Sequence, residues 1–333
     1  MKDELFIVIL NWNGWHDTIF CIESINKGSC NIVLVDNGSN NEEVLEIQKY
    51  LREKFSNYIE LTGPEVSQQI IDSNHVSLNN NGFYFIKNDE NLGFAGGNNV
   101  GLDLVNRIGG RYALLLNNDT VVYDNSIEKL FRLLKSDKHI GAVIPQIRYF
   151  NPSDVIWNCG GKINFLGIRK YYYAFKNINE TPQNGTKVVD YGTGCCLMFD
   201  LDKVGKLSEK FFFGEEDMEF AFRVKKLGLK IICDFESIIY HKVGSSRDLI
   251  SKNSVGKMTY HYSQRISNLA DNLPKSAWML SVGLHMLSSI RLLIRMKKFN
   301  LRTFSRIWKE VLKNTNKEKF LREDFISISN KNY

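Results

Sequence analysis

The sequence predicts an α/β fold, a mostly parallel sheet flanked by helices with a helical C-terminal appendage, and three observations carry that prediction. Short β-branched runs alternate with amphipathic stretches through the first half. Three of those runs pass directly into polar loops, NWNG, DNGSNN and NNDT. Beyond about Ser251 the strand-like runs stop and helical periodicity continues to near the end, with Pro274 as a break.

Taken in order, FIVIL at 6–10 reads as a first strand, about His16 to Asn26 as a helix and NIVLV at 31–35 as a second strand. Glu42 to Phe55 has helical periodicity, with Val44, Leu45, Ile47 and Leu51 as its apolar stripe. The polar stretch from Ser56 to Gly82 is an excursion before the strand FYFIK at 83–87. A glycine-rich loop follows, then a helix from Asn98 to Arg107 and a central strand YALLL at 112–116. From Arg148 to Val189 the chain turns to short strands rich in aromatics, and VVDYGTGCCLMF at 188–199 is a strand region carrying a glycine pair. A helix is expected from near Glu216 to Leu227, with the strand LKIICDF at 229–235 behind it.

Composition excludes several classes. The 333 residues are 43% hydrophobic with only five prolines and no repeat, which fits a packed, enzyme-sized fold rather than a disordered chain. The net charge of +6 is modest, but the basic residues crowd between Arg291 and Lys313. The six cysteines form no CxxC pair and no Cys/His zinc spacing, so reduced thiols in a cytosolic protein are expected. LFIVIL begins within four residues of Met1 with no leader-like run before it, so export is not expected.

In an open parallel sheet ligands sit beyond the carboxyl ends of the strands, so the three polar loops should converge on one crevice. Asp36, ending the second strand, suits a nucleobase or ribose hydroxyl, or the cap of the next helix. The glycines of ENLGFAGGNNVGL at 90–102 suit either close approach to an anion or a plain turn, and they are not the GxGxxG fingerprint, whose place after the first strand holds NWNGW. Asn117, Asn118 and Asp119 offer oxygen ligands of the type Mg2+ and Mn2+ prefer, or an Asx turn. In FFFGEEDMEFAFR at 211–223 three successive acids open a helix; the helix dipole favours them there, while their mutual repulsion raises pKa values in a way that suits a general base. Glu219 and Arg223 are spaced as a surface pair. His241 closes a strand-like run and is either a structural histidine or a ligand.

In this order, IVILNWNG, VDNGSNN, ENLGFAGGNNVGL, LLLNNDTVV, GTGCCLMF, FFFGEEDMEFAFR and YHKVGSS resemble the inverting GT-A glycosyltransferases of family 2, particularly the bacterial rhamnosyltransferase-like branch, over about residues 5–250. The resemblance implies a GT-A fold with a Rossmann-like sheet, a nucleotide-binding half at 1–120, an acceptor-binding and catalytic half at 121–250, and a helical, basic region at 251–333. It places Asn11, Trp12, Asp36, Asn91, Leu92, Gly93 and Asn118 on the nucleotide. Asp119, His241 and Asn117 would hold Mg2+ or Mn2+, with Asn117 standing where the family's motif has an acid, which weakens the site and leaves it to the donor diphosphate to complete. Asp217 corresponds to the catalytic base, with Glu216 beside it and Arg223 in support. The implied donor is dTDP-rhamnose, with UDP-hexoses or UDP-galactofuranose next, and the implied acceptor is a cell-surface glycan or lipid-linked oligosaccharide. The aromatics from Tyr149 to Phe175 suit stacking on that acceptor or packing in a core.

AWMLSVGLHMLSSIRLLI at 277–294 is marginal as a membrane span, and the basic, apolar-studded run behind it suits a helix lying on an anionic surface, packing on the main domain or meeting a second subunit. Attachment at the cytoplasmic face of the cell membrane is the preferred expectation, and nucleic acid is not expected, because the interleaved apolar residues suit lipid better than a phosphate groove. A nucleotidyltransferase lacks its early basic glycine loop in NWNGWHD, and a non-catalytic nucleotide-sugar-binding protein has no use for the EED run.

Overall fold

The computed structural model describes residues 4–25, 30–67, 82–243 and 253–333. Its elements in chain order are β1 Leu5–Asn11, α1 Trp15–Ser24, β2 Asn31–Asn37, α2 Asn41–Lys54, β3 Tyr58–Thr62, α3 Gly63–Ser67, β4 Phe83–Asn88, α4 Gly93–Arg107 and β5 Tyr112–Asn117. The second half continues with β6 Thr120–Tyr123, α5 Ser126–Ser136, β7 Ile140–Tyr149, β8 Ile156–Asn158, β9 Gly161–Ile163, β10 Arg169–Tyr171, β11 Thr186–Val189 and β12 Cys196–Asp200. Then come α6 Leu201–Val204, α7 Glu216–Lys226, β13 Lys230–His241, α8 Ser254–Asn272, α9 Lys275–Arg295, α10 Leu301–Lys313 and α11 Arg322–Asn330.

One mixed sheet runs in the order β11-β13-β7-β12-β5-β1-β2-β4-β3. Its N-terminal half is parallel, with β1 between β2 and β5 and β4 between β2 and β3. The buried runs of β1, β2 and β5 show why these residues form central strands: both faces are covered, so apolar residues follow one another without alternation. β12 is antiparallel to both β5 and β7, and β13 returns parallel to β7, so β5, β7 and β13 all end at the same edge. The predicted α/β fold, a mostly parallel sheet flanked by helices with a C-terminal helical appendage, is what the chain forms, with the antiparallel β12 making the sheet mixed.

Several boundaries differ from expectation. The helix expected from Asn98 begins at Gly93, so most of the glycine-rich loop is helical. The reason is close packing: a Cβ on Gly97 would lie 2.5 Å from Leu10 Cδ1, and one on Gly101 2.7 Å from Val8 Cγ1. Glycines that cost about 1 kcal/mol each in helix propensity let α4 lie directly on β1 and β2. In α2 the buried stripe is Ile47, Tyr50 and Leu51, and Leu45 faces solvent. The 56–82 excursion contributes the edge strand β3 and the short α3; residues 68–81 lie outside the described residues, as do Asn26 and the Gly244-Ser245-Ser246 loop. Between β6 and the aromatic region the chain forms α5 and the long β7, and β13 runs six residues past Phe235 to His241 through a register shift near Asp234.

The C-terminal helices are joined to the main sheet domain. Leu269 of α8 lies in the same core as β7, β12 and α7, with Leu273 and Trp278 packed against it. Phe211 and Phe212 share a second core with Tyr260, Phe320, Phe325 and Ile328.

Candidate active site

The ends of β1, β2 and β5 lie side by side, with Asn11 opposite Asp36 and Leu10 opposite Asn117. Hydrogen bonds then tie the three loops together. Asn11 Nδ2 donates to Asp36 Oδ2 at 2.7 Å, and Asn11 Oδ1 accepts from Thr18 Oγ1 at 2.8 Å and from Asn118 Nδ2 at 3.4 Å. Asn118 Nδ2 also reaches Thr18 Oγ1 at 3.0 Å. Asp36 is buried and accepts the Ser39 backbone N–H at 3.0 Å, so it braces its own loop; Asn40, at the start of α2, makes no side-chain cap. Trp12 lies part-exposed in the turn after β1.

The loop at 91–93 is held by Asn37, a residue the sequence reading does not single out. Its Nδ2 donates to Asn91 Oδ1 and to the Gly93 carbonyl, both at 3.1 Å, while its Oδ1 accepts the Leu92 N–H at 3.1 Å. Gly93 has φ +79°, and its backbone runs against the Phe212 carbonyl, which accepts the Phe94 N–H at 3.1 Å. The loop beside Asp36 is thereby docked onto the aromatic segment that leads into the acids, with Leu92 left exposed.

Asp119 and His241 meet, 122 residues apart in sequence. His241 Nε2 lies 3.1 Å from Asp119 Oδ1 and 3.2 Å from Oδ2, against the edge of the Trp157 ring. The Lys242 N–H donates to the Asp119 carbonyl at 2.9 Å, and its ammonium pairs with Asp17 at 2.6 Å. His241 Nδ1 is buried without a hydrogen-bond partner, and Asp119 Oδ1 has the His241 contact but no well-aligned donor. Unpaired polar atoms of this kind are rare unless something else binds them, so the pair fits the edge of a cation site. Among the described residues no three acidic, histidine or cysteine side chains form a complete metal cluster. Asn117 sits at the tip of β5, with its N–H bonded to the Cys195 carbonyl at 2.9 Å.

One short segment links that edge to the acids. From Cys195 the chain runs back through Gly194, whose Cα faces the Phe94 ring, to Tyr191, whose hydroxyl donates to Asp217 Oδ2 at 2.5 Å. Asp217 therefore keeps one oxygen held and the other available. Burial, and after it the charge of Asp217, push the Tyr191 phenol well above its ordinary range, so it stays a donor.

Of the neighbouring acids, Glu215 adopts a left-handed conformation, φ +76°, and its side chain is 1% exposed. Arg265 of α8 grips it, Nε donating at 2.7 Å and Nη2 2.5 Å away, with Arg169 of β10 at 3.6 Å and Asn268 Nδ2 at 3.3 Å. Arg169 lies near the rings of Tyr171 and Tyr191. Glu216 is buried, one oxygen has no partner, and burial with the adjacent Asp217 charge pushes its carboxyl up to about 8. Arg223 does not support Asp217. It makes a two-pronged pair with Glu219, 3.0 Å on each arm, and donates to the Val204 carbonyl, because four residues of helix put it beside Glu219. The cations at the acid run are Arg169 and Arg265, and no local motif marks either.

A family model described as "Glycosyl transferase family 2" matches residues 6–205, and the chain belongs to that family. Among curated proteins it is 25% identical over 245 residues to the low-salt glycan biosynthesis hexosyltransferase Agl10 of Haloferax volcanii, covering 69% of this chain and 64% of that protein. Among solved structures the fold is similar to GalNAc-T7 with UDP, GalNAc and Mn2+, at TM-score 0.52 and 15% identity, covering 81% of this chain and 51% of that one. It is also similar to the mannosyltransferase PcManGT of Pyrobaculum calidifontis in complex with GDP-Man and Mn2+, at TM-score 0.52 and 10% identity, over 94% of this chain and 87% of that one. The chain thus spans less than two thirds of the curated relative.

Proposed function

We propose that the protein is an inverting glycosyltransferase that moves a hexose or deoxyhexose from a nucleotide-diphosphate donor to a glycan or lipid-linked acceptor. The observation that carries this reading is the pairing of two half-sites at one sheet edge: Asp119 with His241 at the strand ends, and Asp217 held by Tyr191 through the segment that leads back to Asn117. Family membership and the hexosyltransferase relative support it.

In this reading residues 1–120 bind the nucleotide, with Asp36 and Asn11 at the base and ribose and the Asn91–Gly93 loop closing over it. Residues 121–250 bring the acceptor to Asp217, and the helical region from 251 onward is an appendage. The acceptor hydroxyl attacks the anomeric carbon opposite the diphosphate; the new C–O bond forms as the bond to the diphosphate oxygen breaks, and its electron pair leaves with the diphosphate. Asp217 takes the hydroxyl proton on its free oxygen, and one displacement inverts the centre. Mg2+ or Mn2+ held by Asp119 and His241, beside Asn117, would supply charge neutralisation for the diphosphate. The largely buried Asp119 carboxylate, set against His241 at the strand ends, supports such a site, and donor phosphates would complete it.

The donor is proposed as dTDP-rhamnose first and a UDP-sugar second, on the motif resemblance. An acceptor on a lipid carrier would place the enzyme on the cytoplasmic side of the cell membrane. The test is nucleoside diphosphate release from dTDP-, UDP- and GDP-sugars with acceptor and Mn2+, wild type beside Asp217→Asn. Tyr191 can still donate to the asparagine oxygen, so the variant should fold and bind nucleotide while turnover falls about 100-fold or more. Retained turnover would place the base elsewhere.

A further inference from the structure

The outer face of the C-terminal helices is apolar where it has no partner and basic around it. α9 turns Ser281, Val282, Ser289 and Leu293 inward, and Trp308 Nε1 of α10 donates to Ser289 Oγ at 2.9 Å. Its opposite side carries Met279, Leu280, Leu284, Leu287 and Ile294, with Met279 and Leu287 each 60% exposed. Leu301, at the start of α10, is 78% exposed as well. The three- and four-residue spacing of Leu280, Leu284 and Leu287 makes this one stripe rather than scattered residues.

The charge around the stripe selects its partner. From Lys275 to Lys309 the chain has eight lysines and arginines and no aspartate or glutamate. Arg291, Arg295, Lys297, Lys298, Arg302 and Arg306 are all exposed, following the apolar stripe. A second copy docked stripe to stripe would bring two such clusters together, whereas an anionic lipid surface matches both the apolar stripe and the charge.

α9 is also long and apolar enough to cross a bilayer. Its inner face, however, is bound to the neighbouring helices and offers serines to them, and Arg291 sits within its length. Were α9 to cross, α10, tied to it through Trp308 and Ser289, would carry the exposed Arg302 and Arg306 into hydrocarbon, so α9 lies along the surface instead.

We propose that α9 and the start of α10 form an in-plane docking surface for anionic lipid, with Leu284, Leu287 and Leu301 entering the acyl boundary and Arg295, Lys298 and Arg302 meeting headgroup phosphates. The inference goes beyond the transfer reaction and does not depend on it, since lipid binding and turnover are read separately.

The experiment is co-sedimentation of the full chain with vesicles of phosphatidylcholine plus phosphatidylglycerol, or phosphatidylcholine alone, at two salt concentrations. Binding to the anionic vesicles only, weakened by salt, is expected. Leu284→Glu/Leu287→Glu should reduce it about tenfold or more, and each of Arg295→Ser and Lys298→Ser about fivefold. A Cβ on Gly283 meets nothing within 4 Å, so Gly283→Leu extends the stripe and should strengthen binding. Equal thermal unfolding of these variants excludes misfolding as the cause. No binding to anionic vesicles, binding that ignores lipid charge, or a dimer in light scattering that the Leu284→Glu/Leu287→Glu variant disperses without any vesicle binding would each overturn the proposal.

Discussion

At pH 8, replacing Arg265 by methionine should destabilise the protein by about 3 kcal/mol, because it strands a carboxylate that has almost no access to water; burial pushes the Glu215 carboxyl up to about 7, so the loss shrinks at lower pH, where it takes a proton. The Glu215 side chain is 1% exposed, and its Oε1 takes both the Nε hydrogen bond at 2.7 Å and the closest charge contact at 2.5 Å from this one residue. Arg169, at 3.6 Å, and the Asn268 amide remain, which holds the expected loss at the lower end of the range for breaking a buried pair. The assay is urea denaturation of wild type, Arg265→Met, Glu215→Gln and the double variant. If the stranded charge is the cause, the double variant recovers most of the loss, since glutamine fills the same space without a charge to desolvate. A loss below about 1 kcal/mol, or a double variant no more stable than Arg265→Met, would refute the clamp. Turnover adds a second readout. Glu215 lies two residues before Asp217, and a loosened turn should lower kcat more than it raises KM.

The remaining predictions concern the acids and the packing of α4. Asp119→Ala should remove the gain in nucleoside diphosphate affinity that Mn2+ gives the wild type; titration calorimetry showing the same gain in both would count against the cation site. Glu216, raised to about 8 in the folded chain, favours folding less and less as pH rises from its unfolded value near 4.5 through 8, because the unfolded state gives up the proton first. Glu216→Gln should therefore melt higher than wild type above pH 8 and converge with it below about pH 4.5; parallel melting curves across that range would mean the carboxyl is not raised. Gly101→Ala should cost about 1–3 kcal/mol, because the added methyl would meet the buried, branched Val8 at 2.7 Å and Val35 at 3.1 Å and push α4 off the sheet.

The N-terminal half of the sheet was legible because its signals are local. FIVIL, NIVLV and YALLL are buried strands, and the rule that ligands gather at strand ends placed Asn11, Asp36 and Asn118 together, where the structure joins them by hydrogen bonds. Periodicity failed at α4, where four glycines looked like a loop but serve a helix that must approach β1 closely, so tertiary packing overrode propensity. The second half of the sheet domain resisted for a different reason. Asp217 could be named, but Tyr191, Arg169 and Arg265 come from a turn, a short hairpin strand and a C-terminal helix, 26 to 50 residues from the acids they touch. No periodicity encodes such pairings, whereas helical spacing does encode the Glu219–Arg223 pair that the structure forms. The appendage is accordingly more than a peripheral addition. Through Arg265 and Asn268, α8 holds the turn that aims Asp217, while α9, which directly follows it, carries the exposed stripe. If that stripe rests on lipid, contact with the membrane bears on the helix bundle that fixes the acid. Vesicles should then raise kcat in wild type and leave Arg265→Met unchanged; equal stimulation of both would separate docking from catalysis.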